Sequence, residues 1–175
     1  MPHFLLYLFP LMFDIIVGLT LFAGRHAFGE AGRGTDTVGA VWLIYGTSYM
    51  LSSLLMTRLV MAHRARALML TACAAAALLM GGLALARHTA LILVLIGCVP
   101  FTASLFFNAF QSFMLGVDQG AAKPHVRMIA HYTLSWSTGF ALGPALTVAV
   151  KGYGGWPGVY AATACLTALL GIAVY

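Results

Sequence analysis

Asp14 is the residue in this 175-residue chain best placed to do chemistry, because it is the only acid lying deep within a long apolar run. An ionised carboxylate in hydrocarbon costs about 2.5–3.5 kcal/mol on insertion scales, so it must be protonated, paired or wet. Two readings follow: a site that couples a proton or cation, or contacts a cationic solute; and an acid satisfied by a nearby hydroxyl or carbonyl. Tyr7 precedes it by seven residues and falls on roughly the same helical face. Other apolar runs carry similar polar groups. Tyr45 and Tyr49 accompany Ser48 and Ser52, while Asn108 and Gln111 share a face with Ser112. His131 and Ser135 sit beside Tyr132 and Trp136, where a histidine serves either as a proton relay or as an interfacial anchor. Tyr7, Asp14, Tyr45, Tyr49, Asn108, Gln111, His131 and Ser135 are therefore the candidate substrate or coupling residues.

Enzymatic chemistry has little to stand on. The sequence contains no nucleophile–base pair, no CxxC or HExxH pattern and no glycine-rich phosphate loop, so no enzyme, metal or cofactor is expected. Cys73, Cys98 and Cys165 lie inside apolar runs and read as small packing residues. The net charge of +5 comes from nine Lys and Arg against four Asp and Glu, scattered singly between apolar runs. That pattern marks loop anchors rather than a nucleic-acid surface.

The elements that must position these residues are membrane helices. The chain is 62% hydrophobic and 7% charged, with a mean hydropathy of +0.96. A globule this small cannot cover so apolar a surface in water, and a bilayer admits only helices or closed barrels. The runs lack period-2 alternation, which selects helices. Spans of about 20 residues are predicted at 4–22, 38–56, 67–86, 89–115, 128–150 and 156–175. The fold class is thus an all-α integral membrane bundle of six helices, a multi-pass protein of the plasma or inner membrane whose first partner is the lipid bilayer. Spans one and four, which hold the most polar groups, are expected to line an interior; spans three and six are expected to face lipid.

With a cytoplasmic amino terminus, the inner loops carry Arg58, Arg64, Arg66, Asp118, Lys123 and Arg127. The outer loops then hold Arg25, Arg33, Arg87 and Lys151. The three arginines at 58–66 beside two helix ends favour this orientation under the positive-inside rule. Spans two and five, three and six, and Pro10 and Pro100 are each offset by about 90 residues. Three-helix units at 1–87 and 88–175 that enter from opposite sides form an inverted repeat, as in many transporters.

Pro100 removes a backbone bond within span four and is a candidate hinge. Gly139, Gly143 and Pro144 form a small-xxx-small pattern ending in proline, suited to close helix approach or gating. With these residues the chain resembles the major facilitator superfamily along its whole length. Gly139–Pro144 is similar to that family's fifth-helix signature, although Thr147 and Val148 stand where its later glycines fall. The stretch 118–127 resembles its link between helices four and five, and Gly154-Gly155-Trp156 resembles the opening of its sixth helix. The connection at 57–66 departs from the family signature, keeping a matching basic residue only at Arg66. The resemblance implies a cavity lined by helices one, two, four and five and alternating access against a second six-helix half. The expected function is secondary transport of a small solute, with H+ or another ion as a possible partner. The last apolar run ends at Tyr175 without a polar flank, which predicts a chain cut from a longer one. The rival expectation is a self-contained six-helix protein acting as a homodimer or assembly subunit.

Overall fold

The computed structural model describes the backbone at residues 3–117 and 124–175, and the side chains at 5–116 and 128–175. Asp118 and the side chain of Arg127 lie outside the described residues. A 3-10 turn at His3–Tyr7 leads into α1 (Leu8–Glu30), followed by α2 (Thr35–Met56), a 3-10 turn at Ala62–Arg64, α3 (Ala65–Leu85), α4 (Thr89–Val117) and α5 (Pro124–Val174). Five of these helices are long and apolar enough to cross a membrane, so this is a membrane protein.

Helix ends follow local chemistry. α1 runs well past the expected limit of 22, which takes Arg25 and Glu30 into the helix. It closes at Gly32, where φ is 66°, a conformation that favours glycine. There Arg33 N–H donates to Phe28 O at 3.0 Å and Gly32 N–H to Gly29 O at 3.1 Å, the paired bonds of a Schellman end. α3 and α4 are joined by a turn at Arg87-His88, with Ile92 N–H donating to His88 O at 3.0 Å.

Residues 156–174, expected to form a helix of their own, are the second part of α5. At about 1.5 Å per residue, 51 residues in one straight helix would reach about 77 Å, more than twice a ~30 Å hydrocarbon core. The helix instead breaks at Gly155, with φ 61° and ψ −162°. The expected loop at 151–155 shrinks to this one residue, because glycine reverses the chain without a steric penalty. Contacts show the reversal. Gly139 and Gly143 meet Leu11 and Gly18 in ascending order, whereas Trp156 meets Glu30 and Tyr160 lies by Gly24, back down α1. Further on, Gly171 packs on Cys73, and Arg66 Nε donates to Val174 O at 3.0 Å. Glu30 ties the outer part of this corner, pairing with Lys151 and accepting from Trp156 Nε1 at 2.9 Å.

α1 is the most enclosed helix and α2 the least. α3 was expected to face lipid, but only one side of it is exposed. Ala65, Met69, Ala72, Cys73, Ala76, Met80 and Leu83 form a buried stripe at helical spacing, while Leu78 and Leu85 face outward. Small side chains at that stripe let helices approach closely.

Candidate functional site

The polar groups of the helices fall into two kinds, those satisfied at home and those left facing a space. Thr20, Thr147, Thr163 and Thr167 each donate to the carbonyl four residues earlier, at 2.7–2.9 Å. Such back-bonding removes the cost of a hydroxyl in hydrocarbon. Ser135 does the same, donating to His131 O at 2.8 Å. Asn108 Nδ2 donates to Ser104 O at 2.8 Å and to Ser104 Oγ at 3.3 Å, so its donor nitrogen is engaged within its own helix.

Asp14 is different. It is 6% exposed, and no cation pairs with it among the described residues. It opens onto a cavity of about 400 Å³ with Tyr45 and Tyr49 from α2, Phe107 from α4, and Tyr132, Trp136 and Phe140 from α5. The cavity therefore takes residues from α1, α2, α4 and α5. Most of its lining residues are aromatic: Tyr45 and Tyr49 run parallel with centroids 6.2 Å apart, and Tyr132 meets Phe107 edge-on at 6.2 Å. Asp14 lies about 9 Å along α1 from its start at Leu8.

Of the eight sequence candidates, the structure brings Asp14, Tyr45 and Tyr49 to this cavity. Gln111 is exposed and lines a neighbouring space of about 300 Å³ that shares Tyr132. Tyr7 and His131 pack against each other with centroids 5.3 Å apart, beside rather than within the main cavity. Tyr132, Trp136 and Phe140 were missed as a set. Their spacing of four residues puts them on one face of α5, and reading aromatic residues by helical face would have found them.

The residues expected to gate or pack lie behind the cavity. A Cβ at Gly139 would sit 2.2 Å from Leu11 O, and one at Gly143 would sit 2.7 Å from the Gly18 Cα. α1 and α5 thus touch backbone to backbone. Pro144 has no N–H, so the Phe140 carbonyl lacks its helical donor, and that oxygen lies 2.9 Å from where a Gly18 Cβ would stand. A Cα–H contact across the glycines suits this oxygen. Pro100 is buried in α4 and its carbonyl accepts from Ser52 Oγ at 3.3 Å, which joins α4 to α2. Arg58 and Arg64 are exposed at the opposite end of the bundle from Glu30, and Arg66 caps the end of α5 there.

Neither a protein-family model nor a curated protein matches this sequence.

Proposed function

We propose that this chain is one half of a secondary transporter of the major facilitator type, and that its cavity takes a small organic cation. One observation carries the reading: a carboxylate on α1, without a cationic partner among the described residues, faces a cavity walled by aromatic rings drawn from the three helices α2, α4 and α5. A cation over the faces of Tyr and Trp rings gains about 0.5–2 kcal/mol per contact when desolvated. Asp14 supplies the counter-charge that makes leaving water tolerable. In this reading α5 supplies two crossings around Gly155, giving six passes arranged as two inverted three-helix units. A second six-helix half closes the open side, and alternation between the halves exposes Asp14 to each face in turn. A proton that takes the place of the cation on Asp14 would couple transport to pH.

The full-length gene product, reconstituted in proteoliposomes, tests this with tetraphenylphosphonium as the probe. Asp14→Asn should lower uptake about tenfold or more, since a charge-assisted contact is worth about 1.5–3 kcal/mol. It should also flatten the dependence of uptake on pH. Wild-type rate and pH profile in Asp14→Asn would overturn the role of Asp14. A chain that folds, transports nothing and purifies as a symmetric dimer would favour an assembly subunit.

A further inference from the structure

A second cleft lies at the far end of the bundle, between the end of α1, the α3–α4 turn and the part of α5 after Gly155. Its volume is about 160 Å³, some ten times the ~15 Å³ that a single water needs. Two arginines line it, Arg33 and Arg87, and both are exposed. Arg33 is held there by the Schellman end of α1, and Arg87 by the two-residue turn before α4. No carboxylate lines the cleft, and the nearby Glu30 is engaged by Lys151 and Trp156.

At the inner wall stands Tyr160, 4% exposed. Its hydroxyl is the one buried side-chain polar atom without a hydrogen-bond partner among the described residues. Every other buried hydroxyl in these helices is satisfied by a carbonyl or a neighbouring side chain. An orphaned hydroxyl in an apolar interior is costly unless something accepts its proton. Gly24 stands beside it. A Cβ there would come within 3.5 Å of the hydroxyl, so the glycine leaves that approach open. The rest of the lining is largely apolar, including Phe28, Leu83, Ile92 and Pro157.

Two exposed guanidiniums, a buried unpaired O–H donor and apolar walls at the end of a membrane helix bundle define an amphiphilic anion. We propose that this cleft binds the phosphate headgroup of an anionic phospholipid. Arg33 and Arg87 hold the phosphate oxygens, the Tyr160 hydroxyl donates to an oxygen that enters the cleft, and the apolar lining meets the glycerol and upper acyl chain. Guanidinium forks suit phosphate geometry, and basic pockets between membrane helices are a known way to hold such headgroups. The site is separate from the Asp14 cavity and does not depend on the transport reading.

The test uses the full-length protein in a neutral detergent, with thermal unfolding and native mass spectrometry. Phosphatidylglycerol should raise the melting midpoint more than phosphatidylcholine and remain attached in the mass spectrum. The double variant Arg33→Gln/Arg87→Gln should bind phosphatidylglycerol at least about tenfold more weakly. Tyr160→Phe gives the sharper sign: without lipid it should be neutral or more stable than wild type, because it removes an unsatisfied hydroxyl. With phosphatidylglycerol it should be the less stabilised of the two. An equal lipid shift in wild type and the double arginine variant would overturn the proposal. So would an equal shift from inorganic phosphate at the same concentration, which would mark a free-anion site.

Discussion

At the residue scale, the site is a matter of which side chains can satisfy themselves. A serine or threonine in a helix reaches its own carbonyls, which is why Ser135 is closed off at 2.8 Å from His131 O. A carboxylate has no such recourse, because it only accepts and the helix amides beside it are already bonded. Asp14 therefore had to face a space or a partner, and this was legible from its type and depth alone. Tyr45 was legible as polar, and the structure sets it in the cavity wall with its ring parallel to that of Tyr49. If the ring face holds a cation, Tyr45→Phe should keep uptake of tetraphenylphosphonium within about twofold of wild type. Tyr45→Leu should weaken it by about two- to thirtyfold, from the loss of about 0.5–2 kcal/mol. Half-saturation concentrations measured in proteoliposomes decide between them, and equal loss in both variants would assign the contact to the hydroxyl.

At the element scale, glycine placement decides how near two helices come. Gly143 and Gly46 look alike in the sequence, each within an apolar helix. Only the structure separates them: a Cβ at Gly143 would strike Gly18 and Leu19 backbone atoms at 2.7–2.8 Å, and one at Gly46 would meet nothing within 4 Å. Backbone cannot swing aside as a flexible side chain can, so Gly143→Ala should cost about 1–3 kcal/mol through forced separation of α1 and α5. Gly46→Ala should be neutral or stabilising by up to about 1 kcal/mol, since alanine is the better helix former. Thermal unfolding of both variants in detergent provides the comparison, and equal midpoints would refute the close contact. The pattern Gly139-x-x-x-Gly143 announced a helix contact, but not its partner, because pairing is fixed by tertiary packing of helices distant in sequence. The same limit applies to Asn108, whose type suggested a cavity group and whose Nδ2 is engaged by Ser104, one turn earlier. The helices at 35–56, 65–85 and 89–117 were legible to within a turn, whereas residues 124–174, expected as two separate spans, form one element broken at Gly155. The end of α1 was not legible, because a helix is free to continue past the hydrocarbon until Gly32 turns it off.

At the scale of the whole molecule, the position of each connection follows from the directions of the helices. α1 and the first part of α5 run the same way, and α4 runs against α1, with Phe13 stacked on Phe106 and Gly24 beside Ile96. α2 runs with α4, Ile44 meeting Gly97 and Ser52 meeting the Pro100 carbonyl. The reversal at Gly155 then returns the chain to the end where α1 began, where Arg66 holds Val174 O and faces the Tyr175 ring at 6.0 Å. Gly34, His88 and Tyr153 consequently gather at one end of the bundle and His63 at the other. In a background with Cys73, Cys98 and Cys165 replaced by alanine, single substitutions Gly34→Cys, His88→Cys and Tyr153→Cys should react with an impermeant thiol reagent from one side of the membrane. His63→Cys should react only from the other side. Tyr153 is 95% exposed, so its label reports position rather than burial. Labelling of Tyr153→Cys from the side that labels His63→Cys would mean that the first part of α5 does not run alongside α1 to the Glu30 end. Asp14 would then lose the Tyr132 and Trp136 wall, because those residues reach it only while the first part of α5 lies alongside α1.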